Sequence, residues 1–163
     1  MEKIKPIIYQ PNPILREKSK PVPPKKIAEP EFANIISAMK ATLEATPHGI
    51  GLAASQIGHP WRIFVIKIPD YTGTFINPEI VDIGKRITIL EEGCLSVPRI
   101  YGPVKRPKTI KVKALDEKGI PFKVRAKGLL ARVIQHELDH LEGALFIDKA
   151  EQTYKLEQPE NVA

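Results

Sequence analysis

Residues 128 to 141, GLLARVIQHELDHL, place the strongest constraint on how this chain folds. Leu130, Val133, Ile134, Leu138 and Leu141 recur at the spacing of one helical face, and Gly143 offers a stop, so the segment reads as an amphipathic helix over Gly128 to Leu141. The same helix carries His136, Glu137 and His140. Residues four apart on a helix project from one side, so both imidazoles and the carboxylate beside them must be housed next to the apolar stripe. The fold therefore has to bury the apolar face of this helix, while the two histidines either point at one ion or face solvent.

The elements available to bury it follow from the rest of the pattern. Phe32, Ile35, Ile36, Met39 and Leu43 repeat at helical spacing, with Pro30 suited to a first turn and Pro47 and Gly49 ending the run. After a Gly-rich loop at 49 to 58, the stretches Arg62 to Ile68, Ile76 to Ile83, Ile87 to Leu90, Ile110 to Leu115 and Phe122 to Arg125 are dense in β-branched residues and read as strands. Asp116 to Gly119 reads as the turn of a hairpin. Helix, strands, helix is the order of an α+β fold, and 163 residues suit a single domain. Prolines 6, 11, 13, 21, 23, 24 and 30 forbid a long helix in residues 1 to 30, which read as an extended arm laid over the domain. Residues 149 to 163 have little apolar periodicity and read as a polar tail, frayed or loosely docked.

Composition narrows the class. No stretch approaches the ~20 apolar residues of a membrane-spanning helix, and MEKIKPIIYQ lacks the pattern of a secretory signal, so no membrane role and a cytoplasmic location are expected. The net charge of +6 raises the question of nucleic acid. Lysine and arginine are dispersed, however, and KRPK at 105 to 108 has no interleaved aromatic residues, so these charges read as a solvated surface with no direct nucleic-acid function. One cysteine cannot form an internal disulfide; Cys94 is either a small core residue or a reactive or metal-bound sulfur.

QHELDH contains HExxH, in which neutral imidazoles bind a borderline metal without cancelling its charge and an unligated carboxylate handles protons. The third ligand is sought both ways along the chain. A continuation HExxHxxGxxH finds Gly143 but then Phe146, which cannot ligate. A glutamate on a following helix would be Glu160, inside a Pro-interrupted tail. Upstream, EEGCLSVP at 91 to 98 puts Cys94 after a β-rich run and a glycine, where a turn can present a thiolate, and Cys94 is the preferred third ligand. Cys, His and His leave one position of a tetrahedral site open, which suits catalysis.

Three motifs now stand in order: GIGLAASQIG at 49 to 58, EEGCLSVP at 91 to 98 and QHELDHLEG at 135 to 143. Together they resemble the peptide deformylases of bacterial type, over roughly residues 5 to 148. The resemblance implies antiparallel β-sheets around a central HExxH helix, with an N-terminal helix. It also implies removal of the formyl group from the initiator methionine of nascent polypeptides, with release of formate. Cys94, His136 and His140 would be the metal ligands, Glu137 the general acid and base, and the Gln56 amide and the Leu95 N–H the oxyanion donors. The ion would be iron(II), with zinc, nickel or cobalt as substitutes. Gly49, Gly51 and Gly93, lacking side chains, would let a peptide backbone approach, with the substrate extended against residues 49 to 52; Ile50, Leu129 and Val133 would line a methionine pocket, and Glu92 would bind substrate or orient its neighbours. Each of these has an ordinary alternative, as turn glycine, loop glutamine or plain core. The partners implied are formylmethionyl nascent chains at the ribosome, met by a monomer. Two other readings remain at this stage: an HExxH metallopeptidase, and a non-catalytic metal-containing peptide-binding domain.

Overall fold

The computed structural model describes residues 3–157. Helix α1 (Pro30–Ala45) and helix α2 (Gly128–Leu141) follow the spacings that predict them, α2 to the residue. Strands β1 (Gly51–Ala53), β2 (Ile63–Ile68), β3 (Tyr71–Ile83), β6 (Thr109–Leu115) and β7 (Pro121–Lys127) form a five-stranded antiparallel sheet in the order β1-β2-β3-β6-β7. Strands β4 (Ile87–Cys94), β5 (Val97–Pro107) and β8 (Tyr154–Lys155) form a second sheet in the order β4-β5-β8. The β6–β7 hairpin turns where expected, with Gly119 at φ 79°, a backbone region that costs glycine nothing.

Strand β2 explains the layering. Ile63, Phe64, Val65 and Ile66 are all buried. Successive strand side chains point to opposite faces, and here both faces are covered. Ile63 and Val65 join Phe32, Ile36 and Met39 of α1, while Phe64 and Ile66 join Ile134, Leu138 and Leu141 of α2. The sheet is thus sandwiched between the helices. A third apolar cluster, Val97, Val104, Leu145 and Phe146, ties the small sheet to the chain leaving α2.

Three strands go beyond the sequence expectations. β1 lies within the predicted Gly-rich loop, and β5 carries prolines that count against a strand; antiparallel pairing with β2 and β4 respectively supplies what propensity does not. Pro103 and Pro107 fall outside the short pairing of β5 with β8, where an open edge tolerates a residue lacking N–H. Of the two expectations for the tail, frayed or loosely docked, the residues as far as 157 follow the second: β8 pairs with Ile100 and Tyr101 of β5. Residues 158 to 163, including Glu160, lie outside the described residues.

The N-terminal arm runs extended apart from two short 3-10 turns and is bonded along its length. Its N–H groups at Ile8, Gln10 and Ser19 donate to the carbonyls of Gln56, Ser96 and Leu141, at 2.8, 2.9 and 2.8 Å. It thereby fastens the three segments that carry the predicted site motifs.

Candidate metal centre

Two elements bring the ligand candidates together. Helix α2 presents His136 and His140 from one side, and β4 ends at Cys94, opposite Val97, in the tight connection to β5. The donor atoms of the three residues lie within 4.8 Å of one another, and Cys94 Sγ is 3.3 Å from His140 Nε2. Burial opposes ionisation of the Cys94 thiol, but the neighbouring His140 and His136 more than reverse this and hold it well below the usual thiol range. A thiolate and two imidazoles are the donor set that a borderline divalent ion takes, so these residues fit a single such ion.

A charged network orients His136. Arg106 donates to Glu92 through Nε and Nη2 at 2.6 and 2.8 Å, and Arg132 Nη1 adds a third bond at 2.5 Å. Burial would raise the Glu92 carboxyl; its hydrogen bonds and charge pairing with Arg106 and His136 instead bring it to about 2. A carboxylate that acidic has no proton to give. The contact of 3.0 Å between Glu92 Oε1 and His136 Nδ1 is therefore an N–H donated by the ring, which makes Nε2 the ring nitrogen available to a metal. Arg106 also bonds Asp139 of α2 at 2.9 Å, and Arg132 Nη2 bonds the Thr88 carbonyl at 3.0 Å, so β4, β5 and α2 are locked around one carboxylate.

Gln56 is buried and held at both ends: its Oε1 accepts from Ala53 N at 2.9 Å, and its Nε2 donates to Ser96 Oγ at 3.0 Å and faces Cys94 Sγ at 3.8 Å. Glu137 is buried too, and burial pushes its carboxyl up. Among the described residues its Oε2 has no hydrogen-bond partner, which leaves that oxygen free to exchange a proton. Its Oε1 lies where a side chain on Gly51 would have to go, 2.6 Å from an added Cβ. Gly51 thus makes room for the carboxylate. Gly51→Ala is expected to displace Glu137 and lower kcat about 100-fold while the protein stays folded and metal-loaded; a loss under fivefold would show that the carboxylate's position is not set there.

A concavity of about 660 Å³ opens over these groups. Every site residue named from the sequence lines it except His140, which is buried behind. Leu95 is half-buried on its wall, Ile50 and Leu129 are exposed at its mouth, and Val133 is buried at its side. A Cβ on Gly93 would stand 2.6 Å from the Tyr101 ring, so the missing side chain also makes room for this chain's own tyrosine. Gly49 likewise accommodates Leu43, 2.9 Å from an added Cβ.

Arg106, Arg132, Ser96, Tyr101 and Leu156 escape the sequence reading. For Arg106 a signal exists: Gly102, Val104 and Arg106 are the inward alternation of β5, which sets one arginine of the KRPK run apart from its solvated neighbours.

An HExxH helix with a cysteine clustered against its two histidines and an open chamber is the arrangement of a mononuclear metal-dependent hydrolase. Among known proteins, the family model of the polypeptide deformylases matches residues 4–155. A peptide deformylase of Mesorhizobium japonicum is 46% identical over 150 residues, covering 89% of this chain and 83% of its own. The crystal structure of the Thermotoga maritima peptide deformylase superimposes with a TM-score of 0.86 at 38% identity, over 92% of this chain and 99% of that one. A class I type b peptide deformylase of Acinetobacter baumannii, solved with Met-Ala-Ser bound, gives a TM-score of 0.85 at 31% identity, over 91% and 99%. The chain belongs to the polypeptide deformylase family.

Proposed function

We propose that this chain removes the formyl group from the initiator methionine of nascent polypeptides, that Cys94, His136 and His140 hold the ion, and that Glu137 moves the proton. The observation that carries this reading is the buried Glu137 carboxylate with a free oxygen beside the three-ligand cluster. When bound, a divalent ion supplies acidified water and polarises the formyl oxygen. Glu137 accepts a proton from the attacking water and returns it to the departing amine, so that formamide and water become formate and a free N-terminus. The Gln56 amide and the Leu95 N–H donate to the oxyanion as the formyl carbon becomes tetrahedral. Among the described residues strand β1 has only β2 as a neighbour, and a peptide adding along its open edge would be held by backbone bonds that ignore side-chain identity. Ile50, Leu129 and Val133 then receive the methionine side chain. The Acinetobacter relative with Met-Ala-Ser bound supports a peptide substrate.

The native ion in this reading is iron(II), with zinc, nickel and cobalt able to occupy the same donors. The three candidate ligands cluster within a single chain, so the site needs no residue from a second copy, and the working form in this reading is a monomer. Nascent substrates place it in the cytoplasm at the ribosome. Protein loaded with nickel or iron(II) without oxygen is expected to release formate from formyl-Met-Ala-Ser, and the iron form alone should decay in air through its thiolate ligand. Absence of formate from a verified metal-loaded sample would overturn the function, and cleavage at Met-Ala instead would favour a metallopeptidase. Equal air sensitivity of the two metal forms would count against iron-dependent oxidation.

A further inference from the structure

The chain after α2 returns to the mouth of the chamber and is seated there by several independent contacts. Tyr154 and Lys155 pair with Tyr101 and Ile100, and Leu156 N donates to the Arg99 carbonyl at 2.8 Å, carrying the pairing one residue further. The Tyr154 ring stacks on Tyr101 at 6.2 Å between centroids, and its hydroxyl donates to the Glu91 carboxylate of β4. Upstream, Glu151 pairs with Lys105 at 2.8 Å, and the backbone of Gln152 passes so close to Gly102 that a Cβ there would stand 2.3 Å from its carbonyl oxygen.

This register directs one side chain inward. Residues 151 to 155 and 157 are exposed; Leu156 is half-buried and lines the same concavity as Glu137 and Cys94. Its neighbours on that wall are Pro98, Arg99 and Tyr101, all from β5. They stand apart from Ile50, Leu129 and Val133, which come from β1's approach and α2. The chamber therefore has two walls from different parts of the chain, and Leu156 gives the second an aliphatic side chain. An extended peptide needs both, because consecutive side chains point to opposite sides and its residues advance about 3.3 Å each.

We infer that Leu156, positioned by β8, forms with Tyr101 a specificity-determining wall for the side chains that follow the formylated methionine. This rests on the deformylase reading and adds the discrimination that backbone recognition along β1 leaves out. An apolar residue after methionine gains contact with Leu156, whereas alanine and serine are too short to use it.

The test compares kcat/KM for formyl-Met-Leu-Leu and formyl-Met-Ala-Ser in metal-loaded wild type, Leu156→Ala and Leu156→Met. Wild type should favour the leucine peptide, and Leu156→Ala should cut that preference about five- to tenfold through KM, the scale of a few methylenes in an apolar pocket. The alanine-serine peptide should be unaffected, and Leu156→Met should restore the preference. An unchanged ratio in Leu156→Ala would overturn the inference, as would an equal loss on both peptides, which would mark Leu156 as a structural clamp. Failure of wild type to release formate from either peptide would overturn the deformylase reading along with it.

Discussion

Glu137→Gln is expected to lower kcat for formate release by about 10²- to 10⁴-fold with little change in KM and with the metal retained. Glutamine keeps the shape that fits against Gly51 and the burial that surrounds the carboxylate, so the variant isolates proton transfer from packing. It cannot accept a proton from water, and it cannot return one to the departing amine. Cys94, His136 and His140 are untouched, so the ion content measured by atomic spectroscopy should match wild type. Steady-state formate release with both measurements in hand decides the matter. A variant within tenfold of wild type would assign the proton work to another group, and a variant that loses the ion would show Glu137 to be part of the binding set. Direct participation as a ligand is disfavoured because Glu137 is not among the three donors that cluster.

The centre of the site was legible in the sequence because its chemistry coincides with secondary-structure periodicity. His136 and His140 are four apart on a helix whose boundaries are set by its own apolar stripe, so their convergence follows from the backbone. Cys94 was legible for a different reason: it is the only thiol, and it follows a β-rich run. Gln56 carries no such signal by itself; its fixed amide depends on Ala53 N and Ser96 Oγ, the second of which is forty residues away. Arg106 and Arg132 were hidden because an arginine in a basic stretch normally extends into solvent, and only the fold reveals the buried carboxylate that both of them serve. The strand at Tyr154–Lys155 was hidden because two residues have no period to detect; its pairing is specified by Tyr101, Gly102 and Glu91, far away in sequence.

That buried carboxylate is where the largest stability effect is expected. Glu92→Gln should cost about 3 kcal/mol at pH 7, the difference between a carboxyl near 2 in the folded chain and its ordinary value of 4.5 at 1.36 kcal/mol per unit. The sign fixes the pH dependence. A depressed folded value stabilises fully above about 4.5 and is lost as pH falls toward 2, so wild type and Glu92→Gln should differ by about 3 kcal/mol above pH 5 and by under about 0.5 kcal/mol near pH 2. Urea unfolding of metal-free protein at a series of pH values measures this without a contribution from the ion. Glu92→Ala should cost more, about 3–5 kcal/mol, because Arg132 and Arg106 lose their shared anion and remain buried. Both variants also weaken the acceptor that fixes the His136 ring, so metal affinity should drop about 10- to 100-fold. A gap between wild type and Glu92→Gln that stays constant from pH 7 to pH 2 would mean that Glu92 contributes through shape and neutral hydrogen bonds, and that its charge does not order the metal centre.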